Sequence, residues 1–402
     1  MLRQFERDGA ADTAGTTGDQ CDGAGFHQGR HSYNAAVPRD PSASLSTLLR
    51  ARISTDIAAA GGWLPFDRYM ALALYTPGLG YYANDSRQFG RFPGSGSDFV
   101  TAPELSPLFG QALAAQVEQA LDACGSRRVW EFGAGSGALA AQLLQALGPR
   151  LERYAIVDLS GTLRRQQVER LRPWADKLEW LDAWPDTLHG AVVGNEVLDA
   201  MPVQLLHWDG QAWFERGVVV HEEGFAWQDR PTALRPPGDL AGFVPGTVTE
   251  IHPQAEAFIQ TLAGRLQRGA AFFLDYGFPE HEYYHPQRMQ GTLMCHRAHR
   301  ADSDPLADVG HKDITAHVNF SGVALAGQAA GLEVLGYTSQ ARFLLNCGLP
   351  ALLQHADVRT RADAQKLIHE HEMGELFKAI GFARGVSFQA LGFQAGDRSH
   401  TL

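Results

Sequence analysis

The chain has 402 residues, of which 45% are hydrophobic and 20% are charged, so its composition is that of an ordinary globular protein with a sizeable core. Its formal net charge of −11 excludes a general electrostatic attraction to nucleic acid or anionic membranes. No apolar run approaches the roughly 18 residues that a transmembrane helix needs. The cysteines Cys21, Cys124, Cys295 and Cys347 are scattered, which favours a reducing compartment, and the histidines show no recognised metal-ligand spacing. We therefore expect no metal.

The first 44 residues are rich in Gly, Asp, Ala, Thr and Arg, and they contain few large hydrophobic side chains. They lack the apolar core of a secretory signal, and the acids Glu6, Asp8, Asp12 and Asp19 argue against a transit peptide. This composition predicts a disordered tail over residues 1–44.

Residues 45–126 are predicted to form a helical and lid region. Apolar spacing over 45–75 indicates two helices, of which the second starts at Pro65, and another helix is expected from Leu105 to Ala123. Between them, residues 76–100 are a long segment rich in Gly, Pro and Ser, which is typical of a lid or binding segment. We expect the segment 76–104 to close over a site.

From Arg127 onward, short strands alternate with helices, which predicts an α/β fold with a doubly wound, Rossmann-like parallel sheet. This domain is expected to span 127–393, before a tail over 394–402. The pattern predicts two late strands at Val334–Tyr337 and Phe388–Phe393, and a late amphipathic helix over 361–380. The first five strands are predicted at Val129–Phe132, Tyr154–Asp158, Lys177–Leu181, Ala191–Asn195 and Ala271–Asp275, with helices at 137–147, 163–171 and 253–266.

An antiparallel insertion is predicted between the fourth and fifth strands, at about 203–250. Alternating residues in Val203–Trp208 and Ala212–Val220 flank Asp209-Gly210, which is a hairpin signal, and Glu223-Gly224 starts another. The insertion follows the carboxyl end of the fourth strand, the edge at which such sheets bind ligands.

The segment Glu131-Phe-Gly133-Ala-Gly135-Ser-Gly137 follows the first strand and opens a helix. Glycines there permit backbone conformations and a close approach that side chains would block. The G-x-G-x-G spacing differs from the G-x-G-x-x-G of dinucleotide sites and suits the amino-acid moiety of S-adenosylmethionine (SAM), whose ammonium group Glu131 can bind. An ordinary tight strand–helix turn is the alternative.

Two acids further along the chain extend this interpretation. Asp158 ends the second strand, where a carboxylate can accept both ribose hydroxyls. Asp182 follows the third strand, near the expected position of the adenine amino group, although a plain loop aspartate explains it equally well.

Three polar residues, Asn195, Glu196 and Asp199, follow the fourth strand in an otherwise apolar run. In a doubly wound sheet they would face the reactive end of the cofactor. Their carboxylates can bind a cationic acceptor, and a guanidinium matches paired carboxylates through its planar fork of donors. The alternative is that Asp199 or Asn195 caps a helix.

Several separated segments together resemble the MidA family, whose mitochondrial members are complex I assembly methyltransferases. The match covers about residues 50–393. It is carried by segments beginning at Gly96, Glu131, Asn195, Leu274, Asp313 and Glu372, among them Asp98-Phe-Val-Thr101-Ala-Pro-Glu104, Asn195-Glu-Val-Leu-Asp199-Ala-Met-Pro and Asp313-Ile-Thr-Ala-His317-Val-Asn-Phe.

The resemblance implies a class I SAM-dependent methyltransferase that symmetrically dimethylates an arginine of a complex I subunit. It also implies that Asp98, Thr101 and Glu104 border the cleft, with Thr101 and Asn195 beside the cofactor, and that the segment at about 280–330 covers it. Asp275 and Tyr276 would lie at the carboxyl end of the fifth strand.

His317 is either a general base or a structural residue, and Asp313 resembles an ordinary helix cap. The family commonly has Gly-Pro-Gly where this chain has Gly133-Ala134-Gly135, and we expect cofactor binding to survive that change.

The leading hypothesis is an enzyme that transfers a methyl group from SAM to a protein arginine. A non-catalytic SAM-binding scaffold, a methyltransferase with a small-molecule acceptor, and a nucleotide-cofactor dehydrogenase are the alternatives. We expect the substrate to be a protein, and we expect neither nucleic-acid binding nor membrane insertion. The sequence leaves open whether the protein forms a homodimer. The expected location is the cytoplasm of a bacterium, or the mitochondrial matrix of a eukaryote.

Overall fold

A computed structural model describes residues 41–84, 100–158, 161–222, 224–238, 242–297 and 300–402. Residues 1–40 of the expected tail, Cys21, Asp98 and most of the expected 76–100 loop lie outside the described residues. Residues 41–44 of that tail belong to the first helix, so the expectation of disorder there is wrong.

The helices on the described residues are α1 (Pro41–Ala59), α2 (Phe66–Tyr75), α3 (Ala102–Leu105), α4 (Pro107–Cys124), α5 (Ala138–Leu147), α6 (Gly161–Arg170), α7 (Pro253–Arg265), α8 (Glu280–Tyr283), α9 (Phe320–Ala329), α10 (Gln340–Asn346), α11 (Leu349–His355) and α12 (Val358–Ile368). The strands are β1 (Leu64–Pro65), β2 (Arg128–Phe132), β3 (Arg153–Val157), β4 (Leu178–Leu181), β5 (Leu188–Asn195), β6 (Gln204–Trp208), β7 (Trp213–His221), β8 (Gly224–Pro231), β9 (Thr247–Ile251), β10 (Leu266–Phe278), β11 (Met294–Arg297), β12 (Arg300–Asp302), β13 (Asp313–Thr315), β14 (Val318–Asn319), β15 (Glu333–Ser339) and β16 (Phe377–Arg384).

The central sheet has the strand order β15-β16-β10-β5-β2-β3-β4. Five neighbouring strands, β10, β5, β2, β3 and β4, run parallel to one another. Strand β16 lies between β10 and β15 and is antiparallel to both. The inner strands are nearly continuous apolar runs because helices cover both faces of the sheet. The predicted α/β class and doubly wound sheet are therefore confirmed.

Two hydrophobic clusters fill the space between the sheet and its helices. One contains apolar side chains of α4 and α5, including Phe109 and Leu143, together with residues of α10 and α12. The other lies on the opposite face and contains Ile259 of α7 and Phe320 of α9. The sheet is thereby held rigid, and its carboxyl edge is left to carry polar residues.

A second, antiparallel sheet has the order β1-β7-β6-β9, with β8 pairing with β7. The insertion between β5 and β10 supplies all of its strands except β1, which comes from the N-terminal region. The strands β6 and β7 flank the Asp209-Gly210 turn, as the alternation predicts. A third cluster joins this sheet to α1 and α2 through residues such as Phe66, Leu205 and Val218. A small sheet, β12-β11-β13, follows β10.

Two predictions near the carboxyl end of the chain are wrong. The helix predicted over 361–380 ends at Ile368 and is followed by a wide turn, Glu370–Gly374. The late strand is Phe377–Arg384, and the predicted strand 388–393 is instead a loop that ends in a short 3-10 turn. Phe393 of that turn lies against Gly336 and Gly381, whose lack of side chains admits its ring.

Residues 394–402, predicted as a tail, pack against the domain. The backbone N–H of Tyr337 donates to Asp397, at 3.0 Å, and the N–H of Arg398 donates to the carbonyl of Tyr337, at 2.6 Å. The Arg398 guanidinium also pairs with Glu375. These contacts hold the segment along the edge strand β15.

Candidate functional site

A cavity of about 1160 Å³ opens at the carboxyl edge of the central sheet. Its walls come from the sheet, from the N-terminal helical region, from the segment after β10 and from α12. Of the residues proposed from sequence for the site, those that line it are Thr101, Glu131, Gly133, Gly135, Asp158, Asn195, Glu196, Asp199 and His317.

The loop between β2 and α5 depends on its glycines. Gly133, Gly135 and Gly137 have φ values of 64°, 52° and 79°, in the left-handed region that favours glycine. A Cβ atom at Gly133 would lie only 2.9 Å from Cγ2 of Val197. Ala134 is not among the described residues with positive φ, so alanine fits there without strain.

Glu131 and Asp158 lie at the carboxyl ends of neighbouring strands, on the same side of the cavity. Glu131 is 2% exposed and accepts a hydrogen bond from the Tyr154 hydroxyl at 2.7 Å. Burial raises the pKa of Glu131 to about 8. A cationic group entering the cavity would therefore stabilise its carboxylate form.

Two residues proposed for cofactor binding are not brought to the cavity wall. A Cβ at Gly137 would face Leu171 and Gln167, so this glycine allows α6 to approach the loop. The side chain of Asp182 is 80% exposed and pairs with Arg164 at 2.8 Å. The cavity is lined instead by its neighbours Ala183 and Trp184.

Trp184 belongs to an aromatic group that the sequence reasoning missed. Its ring centroid lies 4.5 Å from that of Phe132 and 5.0 Å from that of Phe258. All three residues line the cavity on the side of the glycine loop. They provide an apolar surface of the kind on which a planar heterocycle packs.

The segment after β5 is organised by Asp275 of β10. Its Oδ2 accepts the backbone N–H groups of Val197, Leu198 and Asp199, at 3.1, 2.9 and 3.3 Å. No helix starts at this point, so the alternative that Asp199 or Asn195 caps one is wrong. The carboxylate that satisfies the free amides comes from the neighbouring strand.

This arrangement directs the side chains of Asn195, Glu196 and Asp199 into the cavity. Glu196 has a φ of 53°, which is strained for a residue with a side chain. Its N–H donates to the carbonyl of Leu274 at 2.9 Å, and its Oε1 accepts from Asn195 Nδ2 at 2.9 Å. Such strain concentrates where function requires a particular side-chain direction.

The carboxyl groups of Asp199 and Asp275 are buried, that of the half-buried Glu196 lies beside them, and none of the three forms an ion pair with a described Lys, Arg or His. Burial, with the Asp199 charge as a second cause, raises the pKa of Glu196 to about 8. Burial raises the pKa of Asp199 to about 6, against the hydrogen bond from Tyr276. Within the described structure, Oδ1 of Asn195 and Oδ1 of Asp199 are buried without a hydrogen-bond partner.

A pair of tyrosines from the N-terminal region lines the cavity near these acids. The rings of Tyr75 and Tyr82 are stacked with centroids 5.6 Å apart. The Tyr75 hydroxyl donates to the carbonyl of Ala200 at 2.8 Å, and that of Tyr82 donates to Asp313 Oδ1 at 2.8 Å. The sequence reasoning missed both rings.

Asp313 is not the helix cap that its neighbours suggest, because it lies in strand β13 and lines the cavity. The residue that caps the following helix, α9, is Asn319, whose side chain accepts the N–H of Gly322 at 3.2 Å. A fourth carboxyl group therefore joins the acidic side of the cavity.

His317 lies in the same wall. Its ring is parallel to that of Phe278, with centroids 5.2 Å apart, and its Nδ1 is buried without a partner. Burial lowers the pKa of His317 to about 4, so the ring is neutral at physiological pH. It can accept a hydrogen bond there, although so low a pKa makes it a weak proton acceptor.

The segment with Thr101 and Glu104 is joined to the glycine loop. Glu104 accepts hydrogen bonds from the Ser136 hydroxyl and, at 2.6 Å, from the Arg170 guanidinium. Gln142 also donates to the carbonyl of Pro103 at 2.7 Å. The described end of the expected lid is thus anchored to the loop that it borders.

Two negative findings concern the described residues alone. No group of three His, Cys, Asp or Glu side chains is placed to hold a metal ion among them. In the same part of the chain, no helix is long and apolar enough to cross a membrane.

The family of S-adenosyl-L-methionine-dependent methyltransferases matches residues 112–338. A protein of Burkholderia thailandensis, solved with S-adenosyl-homocysteine bound, is 53% identical, with a TM-score of 0.87, and the alignment covers 92% of this chain and all of that one. A native crystal structure of a protein from the same organism is 52% identical, with a TM-score of 0.82 and the same coverage.

The protein arginine methyltransferase NDUFAF7 of Danio rerio is 26% identical over 84% of this chain and 87% of its own. Its counterpart in Xenopus tropicalis is 28% identical over 79% and 81%. The cofactor of this protein is SAM. The fold, the matched family and these relatives together place the chain in the MidA-like family of SAM-dependent methyltransferases.

Proposed function

We propose that the protein methylates the guanidinium group of an arginine in a protein substrate. The observation that carries this proposal is the group of carboxyls formed by buried Asp199, Asp275 and Asp313 and half-buried Glu196. The Oδ1 atoms of Asn195 and Asp199 lie in the same group and are buried without a hydrogen-bond partner in the described structure. Buried acceptors without partners are unfavourable unless a ligand supplies donors. A guanidinium brings both a positive charge and a planar set of N–H donors.

The glycine-loop side of the cavity fits the cofactor. Gly133 and Gly135 adopt the left-handed backbone conformations that glycine favours, and Glu131 offers a buried carboxylate to an ammonium group. Asp158 offers oxygen atoms to ribose hydroxyls, and the proposal also assigns Thr101 and Asn195 to the cofactor. The carboxyl group of Asp182 is too exposed for the role first expected of it.

When bound, SAM supplies an electrophilic methyl carbon on a positively charged sulfur. The acceptor nitrogen forms a bond to that carbon as the carbon–sulfur bond breaks, S-adenosyl-homocysteine leaves, and the nitrogen must release one proton. The Glu196 carboxylate can accept that proton, because its raised pKa brings it close to physiological pH. Asp199 is held by Tyr276 and can orient the cation, while neutral His317 can accept a further hydrogen bond.

Positioning carries much of the rate of such a reaction. The network from Asp275 to the amides of residues 197–199 fixes the backbone that carries Glu196 and Asp199. The names of the more distant relatives, as protein arginine methyltransferases, agree with an arginine acceptor. Within that proposal, a subunit of respiratory complex I is the first substrate to examine, and symmetric dimethylation is the product that the family resemblance suggests.

The test is incubation of the purified protein with SAM labelled in its methyl group and with protein extract from a strain lacking the gene. At pH 8 or above, we expect label in protein, recovered after hydrolysis as N-methylated arginine, and labelling about 10²-fold slower with a Glu196→Gln variant. Label found only in lipid, nucleic acid or small molecules would contradict a protein acceptor. Label in protein on another amino acid would contradict the arginine.

A further inference from the structure

Helix α6 places one fully buried amide against the cofactor side of the cavity. Gln167 is 0% exposed, although it belongs to a helix whose mean hydropathy is strongly polar. The helix approaches the glycine loop closely, since a Cβ at Gly137 would lie 3.5 Å from Cγ of Gln167. Burying a glutamine is unfavourable unless its amide finds partners.

The partners of Gln167 determine how its amide is oriented. Its Oε1 accepts the indole N–H of Trp180 at 3.1 Å. Its Nε2 must then face the other way, where it donates to the carbonyl of Gly135 at 2.9 Å and to Asp158 Oδ2 at 3.0 Å. Both donors of the amide are used, and both acceptors belong to residues that line the cavity.

From this geometry we infer that Gln167 is a positioning residue for the cofactor site. Its amide holds the Asp158 carboxylate so that the other oxygen is presented to the ribose, and it ties the same carboxylate to the glycine loop. The inference rests on the proposed role of Asp158, and it adds a residue that does not itself line the cavity. Trp180 acts one step further out, because its indole prevents the amide from turning over.

A second side chain of the same helix also contacts the glycine loop. Arg170, three residues after Gln167, donates to the Ser136 hydroxyl at 2.8 Å and to Glu104. The helix therefore holds two consecutive residues of the loop, Gly135 and Ser136, through side chains on one face. Gln167 alone reaches both the loop and Asp158.

The experiment compares binding of S-adenosyl-homocysteine with that of its 2′-deoxyribose analogue, by calorimetry. The deoxy analogue lacks a hydrogen bond to a charged carboxylate, so the wild-type protein should bind it about 10- to 100-fold more weakly. A Gln167→Glu variant keeps the shape but loses both donated hydrogen bonds and brings a second carboxyl group to Asp158. We expect it to bind S-adenosyl-homocysteine roughly 10- to 100-fold more weakly and to discriminate between the ligands by less than about threefold.

Gln340→Glu is the matched control, because Gln340 is also 0% exposed and also donates to a backbone carbonyl, that of Leu367, away from the cavity lining. This variant should keep the wild-type discrimination. Trp180→Phe provides a milder test that retains Gln167, and it should reduce the discrimination partially. If Gln167→Glu does not fold, Trp180→Phe decides the matter.

The ratio of the two affinities separates positioning from general stability. The inference would be overturned if Gln167→Glu weakened the binding of both ligands equally and left the ratio of their affinities unchanged. If the wild-type protein binds both ligands equally well, the assignment of Asp158 in the proposed function fails, and the positioning role fails with it. A ratio that falls only in the Gln167 and Trp180 variants supports it.

Discussion

Replacing Glu196 by glutamine should change the pH dependence of the reaction as well as its rate. The buried carboxyl of Glu196 has a pKa raised to about 8 by burial and by Asp199, whose own pKa is raised to about 6. In wild-type protein, kcat/KM for an arginine peptide should rise with pH across this interval, because ionised carboxylates are needed to bind the cation and accept the proton. The glutamine variant should lose the upper part of this rise and keep the part that belongs to Asp199.

The magnitude follows from the fraction of Glu196 that is ionised. Above pH 8, where wild-type Glu196 is ionised, the variant should be slower by about 10²-fold or more, as for loss of a general base. Below that pKa the ionised fraction in the wild-type protein falls about tenfold for each pH unit, so the difference should shrink at the same rate. The assay is peptide methylation followed by mass spectrometry at a series of pH values. Parallel profiles, separated by a constant factor, would refute the reasoning.

The same substitution has a stability signature that serves as a folding control. Because the pKa of Glu196 is raised from 4.5 in the unfolded chain to about 8 in the folded protein, its contribution to folding stability falls as pH rises between those values. The neutral glutamine side chain removes this effect. The Glu196→Gln variant should therefore be as stable as wild type near pH 4.5 and more stable than wild type near pH 8. Glu215→Gln, in the insertion and away from the cavity lining, should leave the kinetic profile unchanged.

Three further substitutions test other parts of the site. Gly133→Ala should weaken SAM binding by at least tenfold in calorimetry, since its Cβ would lie 2.9 Å from Val197 and its φ of 64° is strained for alanine; unchanged affinity would contradict the loop geometry. Tyr82→Phe should raise KM for the peptide about 3- to 10-fold through loss of the hydrogen bond to Asp313, without altering KM for SAM; equal changes in both would argue against an acceptor-side role. Asp275→Ala should lower the free energy of unfolding by about 3 kcal/mol or more, because three backbone amides, two of them buried, lose their acceptor. Asp275→Asn should be milder, and a stability equal to wild type for Asp275→Ala in denaturant titration would refute this.

The sequence leads to Glu131, Gly133, Gly135 and Asp158, which line the cavity, because the pattern that carries them is local. The spacing of Gly133 and Gly135 indicates a backbone conformation that only glycine adopts easily. The strand before this loop and the helix after it show where the loop lies in the fold. Asp158 follows from the same logic, since it ends the adjacent parallel strand. Asp182 shows the limit of that logic, because position in a strand does not determine the direction of a loop side chain.

The acidic side of the cavity depends on contacts between distant parts of the chain, which no local pattern reveals. Tyr82 and Asp313, which form a hydrogen bond, are 231 positions apart in the sequence. The role of Asp275 as acceptor for three amides likewise arises only when β5 and β10 pair. The motifs identify that these segments matter, but the three-dimensional pairing decides what each residue does.

The error in the late strands has a different cause. Residues 377–384 are buried on both faces, so their apolar run carries no alternation and can be taken for the end of a helix. The predicted strand at 388–393 contains Phe393, whose burial comes from packing on glycines of the sheet. A hydrophobic pattern indicates that residues are buried, but it does not show which other residues bury them.

Quantitative mass spectrometry of methylarginine peptides tests the proposed activity most directly. It would compare a deletion strain complemented with wild-type protein against the same strain complemented with Glu196→Gln, at matched expression. We expect at least one arginine peptide, with a respiratory complex I subunit the first candidate, to be methylated to a clearly higher level with the wild-type protein than with the variant. A methylarginine profile that is identical in the two strains, while both proteins are folded and bind SAM, would contradict arginine methylation and favour a non-catalytic role.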